Sequence, residues 1–234
     1  MKRIVYSIFV LGLSVSATAD DLRSYTQPQD SEKMSNMGLD MHISPQNGLY
    51  LMSTDSRYVV KGELHIIDRF NGQRVDSLPE LRRTKNTVDL SLIGIDPLKL
   101  ASATLGAASA TIGATLFFNP LSQNSVPLLE KINKLEAKGQ FVHIVPFPTP
   151  GNSMEEINNV ICGFQDKPDE TLKKLLSGSK DFRKCAMQES LMRSLLTASL
   201  LAQGQMPMAI TSSGRLLLGK SATQFDETVA SESP

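Results

Sequence analysis

The sequence predicts an α+β protein in two parts. A small β-rich N-terminal domain precedes a C-terminal domain in which strand, helix and strand are followed by an all-helical insert, a β-hairpin and a last helix. Three observations predict it. Short runs of β-formers divided by turn residues fill 48–68, and helical periods with start and stop residues recur between 125 and 203. Two continuous apolar runs, 112–118 and 141–146, have the length of strands buried on both faces.

The first residues form a secretory signal. Lys2 and Arg3 are its positive start, 4–15 its apolar stretch, and Ala17-Thr18-Ala19 an A-x-A cleavage site, so cleavage is expected after Ala19. A membrane anchor needs roughly 20 apolar residues, and Ser14, Ser16, Thr18, Asp20 and Asp21 cut the run short. The mature chain then begins at Asp20 in an oxidising compartment, the periplasm of a Gram-negative host, with no stable membrane span.

Residues 20–39 are polar and aperiodic, which predicts an exposed lead-in. Gly48–Ser53, 58–60 and 63–68 read as strands, with turns at Thr54-Asp55-Ser56 and Asn71-Gly72. They make a small antiparallel domain spanning 20–82. A linker covers 83–110: the charged 79–86 leads into it as a solvated connector, and 90–105 is expected to be helical. Between 100 and 129 no side chain is charged, yet Ser102, Thr104, Gly106, Ser109, Thr111, Gly113 and Thr115 are too polar or small for a membrane helix, and Asn119-Pro120 breaks it. A buried linker end running into a core strand fits better.

The C-terminal domain spans 111–234. After strand 112–118, a helix over 125–138 has Pro127 in its first turn, Leu128, Ile132 and Leu135 on one face and Gly139 as its stop. Strand 141–146 is followed by a turn at Pro150-Gly151. Ser153 and Glu156 form a capping box that opens a helix to about Cys162. Helices over 168–176 and 189–203 complete the insert. Strands 208–211 and 215–218 flank Ser213-Gly214 as a hairpin, and 222–229 forms a terminal helix. This element order is that of a thioredoxin-like domain carrying a helical insert.

Composition excludes other classes. Lys and Arg number 24, Asp and Glu 24, so the formal charge is zero and no basic patch exists to bind nucleic acid. Cys162 and Cys185 are the only cysteines. In an oxidising compartment such a pair reads as a disulfide, worth about 3 kcal/mol by loop closure. They are not a C-x-x-C pair. His42, His65 and His143 stand at no ligand spacing to either cysteine, so neither a metal nor any other cofactor is expected.

Several segments carry a resemblance to the periplasmic disulfide isomerase family of DsbC and DsbG. GLYLMSTDSRYVVKGELHIID (48–68) resembles that family's dimerisation domain, with Gly62 at a matching place. IVPFPTPGNSMEEINNVICG (144–163) resembles its strand, Phe-Pro, Gly turn and helix ending in a structural cysteine, through Phe147, Pro148, Gly151 and Cys162. Cys185 matches the second structural cysteine, so the resemblance implies the same bridge. Gly204-Gln205-Met206-Pro207 resembles the segment holding the cis-proline, which implies a polypeptide-binding edge at Met206 and Pro207. Against this family, LFFNPLSQNSVPLLEKI (116–132) places Ser122 and Ser125 where the two catalytic cysteines would stand. Serine forms neither the thiolate nor the mixed disulfide that exchange requires. Ser125 also reads as a helix N-cap, and His143 as a core histidine rather than a base for a serine nucleophile.

The resemblance thus implies a redox-silent homodimer that binds polypeptide clients, or subunits of an envelope complex, as a chaperone or assembly factor. Conjugative transfer and type IV secretion are a setting in which relatives occur. The alternatives are a thiol:disulfide isomerase using Cys162 and Cys185, and a purely structural envelope subunit.

Overall fold

The computed structural model describes residues 28–34, 38–44, 48–100, 103–105, 112–137, 141–202 and 204–232. The signal segment, the helix stop at Gly139 and the end of the 189–203 helix at Gln203 lie outside the described residues. The chain divides into two compact units, Met1–Leu64 and His65–Pro234.

The first unit is a four-stranded antiparallel sheet in the order β1-β2-β3-β4, from β1 (Asp30–Lys33), β2 (Leu39–Ser44), β3 (Gly48–Ser53) and β4 (Val59–Val60). The register pairs Met41 with Leu51 and His42 with Tyr50, and Met41 and Tyr50 are fully buried. Ser53 organises the β3–β4 turn, its hydroxyl accepting from the backbone N–H of Arg57 at 3.0 Å and Tyr58 at 2.9 Å. The expected lead-in over 20–39 is corrected here. Asp30–Lys33 is an edge strand paired to β2, and its sequence, DSEK, gives no alternation because its cohesion is main-chain hydrogen bonding.

The second unit opens with the hairpin β5 (Ile66–Ile67) and β6 (Arg74–Val75), turned at Asn71-Gly72 where Gly72 has φ 71. Asn71 Nδ2 ties this turn to Asp68 Oδ2, Thr84 O and Thr87 Oγ1 at 2.8 to 3.0 Å. The solvated connector over 79–86 is instead largely helix α1 (Leu78–Thr84), buried through Leu78, Leu81 and Thr84. Its start signal is legible in hindsight: Ser77 accepts from Glu80 N at 3.4 Å, and Pro79 lies in the first turn.

The helix expected over 90–105 does not form. Gly94 and Pro97 interrupt it, Ile95 N bonds back to Leu90 O at 2.8 Å, and among the described residues the helical geometry before strand β7 (Ala103–Leu105) is a 3-10 turn, Pro97–Lys99. The segment is buried at Val88, Leu90 and Leu100. β7 joins β8 (Ile112–Phe118), β9 (Phe141–Pro146), β10 (Met208–Thr211) and β11 (Leu216–Leu218) in a five-stranded sheet ordered β11-β10-β8-β9-β7. β8 and β9 are parallel and the other pairs antiparallel.

The sheet's side chains alternate between two layers. Ala114, Leu116, Phe118, Val142, Ile144 and Ala209 pack on α2 (Val126–Ala137), α3 (Met154–Asp166), α4 (Pro168–Leu176) and α6 (Phe225–Glu232). Phe117, Val145, Met208 and Ile210 face Ala198 and Leu201 of α5 (Glu189–Leu201), together with Val88, Leu90 and Leu100. Burial on both faces explains why β8 and β9 read as unbroken apolar runs. The capping box at α3 forms as expected, with Glu156 N donating to Ser153 Oγ at 3.1 Å and Ser153 N to Glu156 Oε2 at 2.7 Å.

Candidate functional site at the carboxyl ends of the parallel strands

Where β8 ends, Asn119-Pro120-Leu121-Ser122 leads into a 3-10 turn, Gln123–Ser125, and then directly into α2. Asn119 is 4% exposed and governs this loop. Its Nδ2 donates to Thr149 Oγ1 at 2.7 Å and Asn152 Oδ1 at 2.8 Å, and its Oδ1 accepts from Leu121 N at 2.9 Å. Phe147 N donates to Phe118 O at 2.8 Å and joins the loop after β9 to the same end. In the sequence Asn119 reads only as a helix breaker; an Asn beside Pro at a strand end, facing a Thr-Pro-Gly-Asn turn, is the signal that marks its role.

Ser122 is the N-cap residue of the 3-10 turn, half-buried, and its side chain makes no capping bond. Ser125 is 7% exposed. The expectation that it caps α2 is corrected: its hydroxyl donates to Asn119 O instead. Ser125 N donates to Ser122 O at 3.0 Å, so the two serines share one turn at the start of α2.

No base meets either hydroxyl among the described residues. His143 Nε2 lies 2.8 Å from Pro97 O and its Nδ1 3.3 Å from Thr104 Oγ1. Burial pushes its pKa below the ordinary imidazole value, against smaller opposing effects of the Pro97 carbonyl and the Asp96 charge. His65 lies against Arg74, at 3.2 Å. Among the described residues the loop therefore holds two neutral hydroxyls, that of Ser125 fixed by its bond to Asn119 O, without the partner an activated nucleophile needs.

Met206–Pro207 is a cis peptide. Because Met208 pairs with Phe117 in the antiparallel β8–β10 register, this dipeptide falls at the sheet end occupied by Phe118 and Asn119, one strand across. Pro207 O accepts from Gly219 N at 2.8 Å, while the backbone N–H and carbonyl of Met206 meet no partner among the described residues. Met206 itself is half-buried against the layer containing Phe117 and Met208.

Cys162 and Cys185 form a disulfide on the helical insert. The segment carrying Cys185 is further fastened to α3. Asn158 Nδ2 donates to Ala186 O at 3.1 Å, Gln188 N to Asn158 Oδ1 at 3.1 Å, and Cys185 N to Asn159 Oδ1 at 3.2 Å. Among the described residues no cluster of His, Cys, Asp or Glu could hold a metal ion, and no helix is long and apolar enough to cross a membrane.

A parallel β-α-β core, a helical insert, a loop ending in a cis-proline and an antiparallel hairpin define a thioredoxin-like domain. The chain is similar to the solved structure of Proteus mirabilis ScsC in a compact conformation, at 14% identity over 65% of this chain and 83% of that one, with a TM-score of 0.50. It is also similar to a periplasmic thioredoxin-like protein from Salmonella enterica serovar Typhimurium, at 18% identity over 58% and 90% with a TM-score of 0.44. A third similar structure is Helicobacter pylori DsbG, at 14% identity over 76% and 91% with a TM-score of 0.34. At these identities the likeness shows the fold alone. No family model and no curated relative matches the chain.

Proposed function

We propose that the protein is a redox-silent, exported member of the thioredoxin-like Dsb superfamily that binds polypeptides in the periplasm as a chaperone or assembly factor. One observation carries the reading. Two hydroxyls, one donating to Asn119 O, occupy the turn before α2, beside a Met206 backbone whose hydrogen-bonding groups remain available. Ser122 and Ser125 stand where a dithiol would do the chemistry of exchange, and an extended client chain can add to the free edge at Met206 by β-augmentation. The N-terminal unit is assigned to homodimerisation by its resemblance to the DsbC-type domain. Conjugative or type IV secretion components are proposed as clients on the same analogy.

The test is a pair of assays. The wild-type protein is expected to show no insulin reduction or disulfide isomerisation and to suppress aggregation of a cysteine-free unfolded client. Met206→Glu is expected to weaken that suppression several-fold. Turnover by the wild type that disappears in the Cys162→Ala/Cys185→Ala variant would establish the isomerase alternative instead. Suppression that is absent with several clients, or unchanged by Met206→Glu, would reject this client edge.

A further inference from the structure

The second unit holds a groove of about 950 Å³ on the sheet face opposite α2. It is displaced along the strands from Met206 and Asn119. Its floor is the row Ile210, Thr115 and His143, adjacent in register across β10, β8 and β9, and its roof is the segment from Val88 to Pro97. The roof is tied down: Val88 N donates to Gly214 O at 2.7 Å, Asp89 N to Phe70 O at 2.6 Å, and the His143 ring holds Pro97 O at 2.8 Å. The cleft is therefore largely pre-formed, and its size is that of small-ligand sites, about 300–1,000 Å³.

Two independent features describe what would fill it. Thr115 is 6% exposed, and its hydroxyl has no hydrogen-bond partner among the described residues. The hydroxyl is not among the buried unpaired side-chain atoms, so it is reached from the groove, which Thr115 lines. Both nitrogens of His143 are engaged, so Thr115 is the polar contact left on the floor. The second feature is charge. The lining includes the carboxylates of Asp89 and Asp96 and no Lys or Arg. Asp89 is held ionised by bonds from the Ser91 hydroxyl at 2.6 Å and N–H at 2.9 Å. Asp96 is 3.6 Å from Lys99, a pair exposed to solvent.

We propose that this groove binds a small organic amine: an apolar body lying along Ile210 and Ile95, with a polar atom meeting the Thr115 hydroxyl and a cationic nitrogen near Asp89 and Asp96. A ligand carrying a carboxylate or phosphate is disfavoured, because the lining holds no cation and two carboxylates, of which, among the described residues, only Asp96 is paired, with Lys99. The assignment stands apart from the proposed polypeptide edge, which lies at the other end of β8.

The test is titration of the 15N-labelled full chain with phenethylamine, in parallel with 3-phenylpropionate, followed by amide shifts. Phenethylamine is expected to give saturable shifts centred on Thr115, His143 and Ile210, with affinity falling several-fold between low and high salt. The carboxylate is expected to bind at least tenfold more weakly. Asp89→Asn/Asp96→Asn, which changes only exposed side chains and keeps their acceptor oxygens, should remove most of the preference for the amine. Ser212→Trp, at the exposed rim, should block entry. Equal binding of amine and carboxylate, shifts centred on Asn119 and Met206, or no saturable shift would each overturn the proposal.

Discussion

The two units each bury a histidine on a central strand, and treat it in opposite ways. His143, 4% exposed on β9, has an oxygen facing each ring nitrogen, Pro97 O and Thr104 Oγ1. His42, 5% exposed on β2, stacks on Tyr50 with ring centroids 5.3 Å apart, yet neither ring nitrogen has a partner, and Asp40 Oδ1 beside it is also buried and unpaired. The five-stranded sheet has a folded-back segment and an edge strand from which to recruit acceptor and donor. The four-stranded sheet gains apolar contact for His42 but leaves its polar atoms dry. Burying an imidazole thus stabilises only where the surrounding layers are thick enough to answer both of its nitrogens.

The same substitution at both places should give effects of opposite sign. His143→Phe leaves the Pro97 carbonyl and Thr104 hydroxyl facing an apolar ring, and is expected to cost about 2–3 kcal/mol. This is the largest effect predicted, read as faster native-state hydrogen exchange of the β8 and β9 amides. His42→Phe keeps the stack on Tyr50 and removes two orphan nitrogens, so it is expected to stabilise the first unit by about 1 kcal/mol, read from the β2 and β3 amides. Destabilisation of similar size at both positions would erase the distinction.

Acid should test the two sites together and then separate them. Desolvation by burial lowers the pKa of His42, opposed by the smaller attraction of Asp40, and likewise lowers that of His143. In each case the unfolded imidazole takes up its proton first. The stability from keeping the ring neutral is whole above the unfolded pKa near 6.5 and is lost as pH falls from there toward the folded pKa, at about 1.4 kcal/mol per unit of depression. Protection factors in both units, corrected for the pH dependence of intrinsic amide exchange, are expected to fall between pH 7 and 5. His42→Phe should flatten the profile of β2 and β3 while leaving β8 and β9 unchanged. A profile in β2 and β3 that survives the substitution would assign the acid sensitivity to other groups.

How much of this was legible in sequence follows the same physics. Ser153 with Glu156, Pro168 at a helix start and the apolar runs of β8 and β9 were readable because a cap or a doubly buried strand is specified by its own residues. β1 was missed because DSEK pairs through its main chain, and no side-chain period records that. The 90–105 stretch was misread because its apolar residues answer to the sheet beneath them, not to a helical face. The turn that carries Ser122 and Ser125 is readable from the helix start that follows it, Pro127 in the first turn. Asn119 could not be recognised as the loop's organiser, since its partners Thr149 and Asn152 lie about 30 positions away and meet it only once β8 and β9 are side by side.

The smallest expected effect extends the comparison from neutral to charged groups. Lys131 on α2 donates to Thr223 O at 2.8 Å and Asp226 Oδ1 at 2.7 Å, joining α2 to the C-terminal turn of the second unit. Both ion-pair side chains are about 30% exposed, so solvent screens much of their attraction and the pair is worth on the order of 1 kcal/mol or less. Lys131→Met preserves most of the stem's packing and removes both bonds, so it should destabilise by about 1 kcal/mol. Raising salt to 1 M should weaken the wild type toward the variant, because screening shortens the reach of exposed charge to about 3 Å. The gap should not close completely, since the bond to the Thr223 carbonyl does not depend on Asp226. Equal stability of the two proteins at low salt would show that neither bond holds α6 to α2, and would confine the second unit's advantage to its neutral partners.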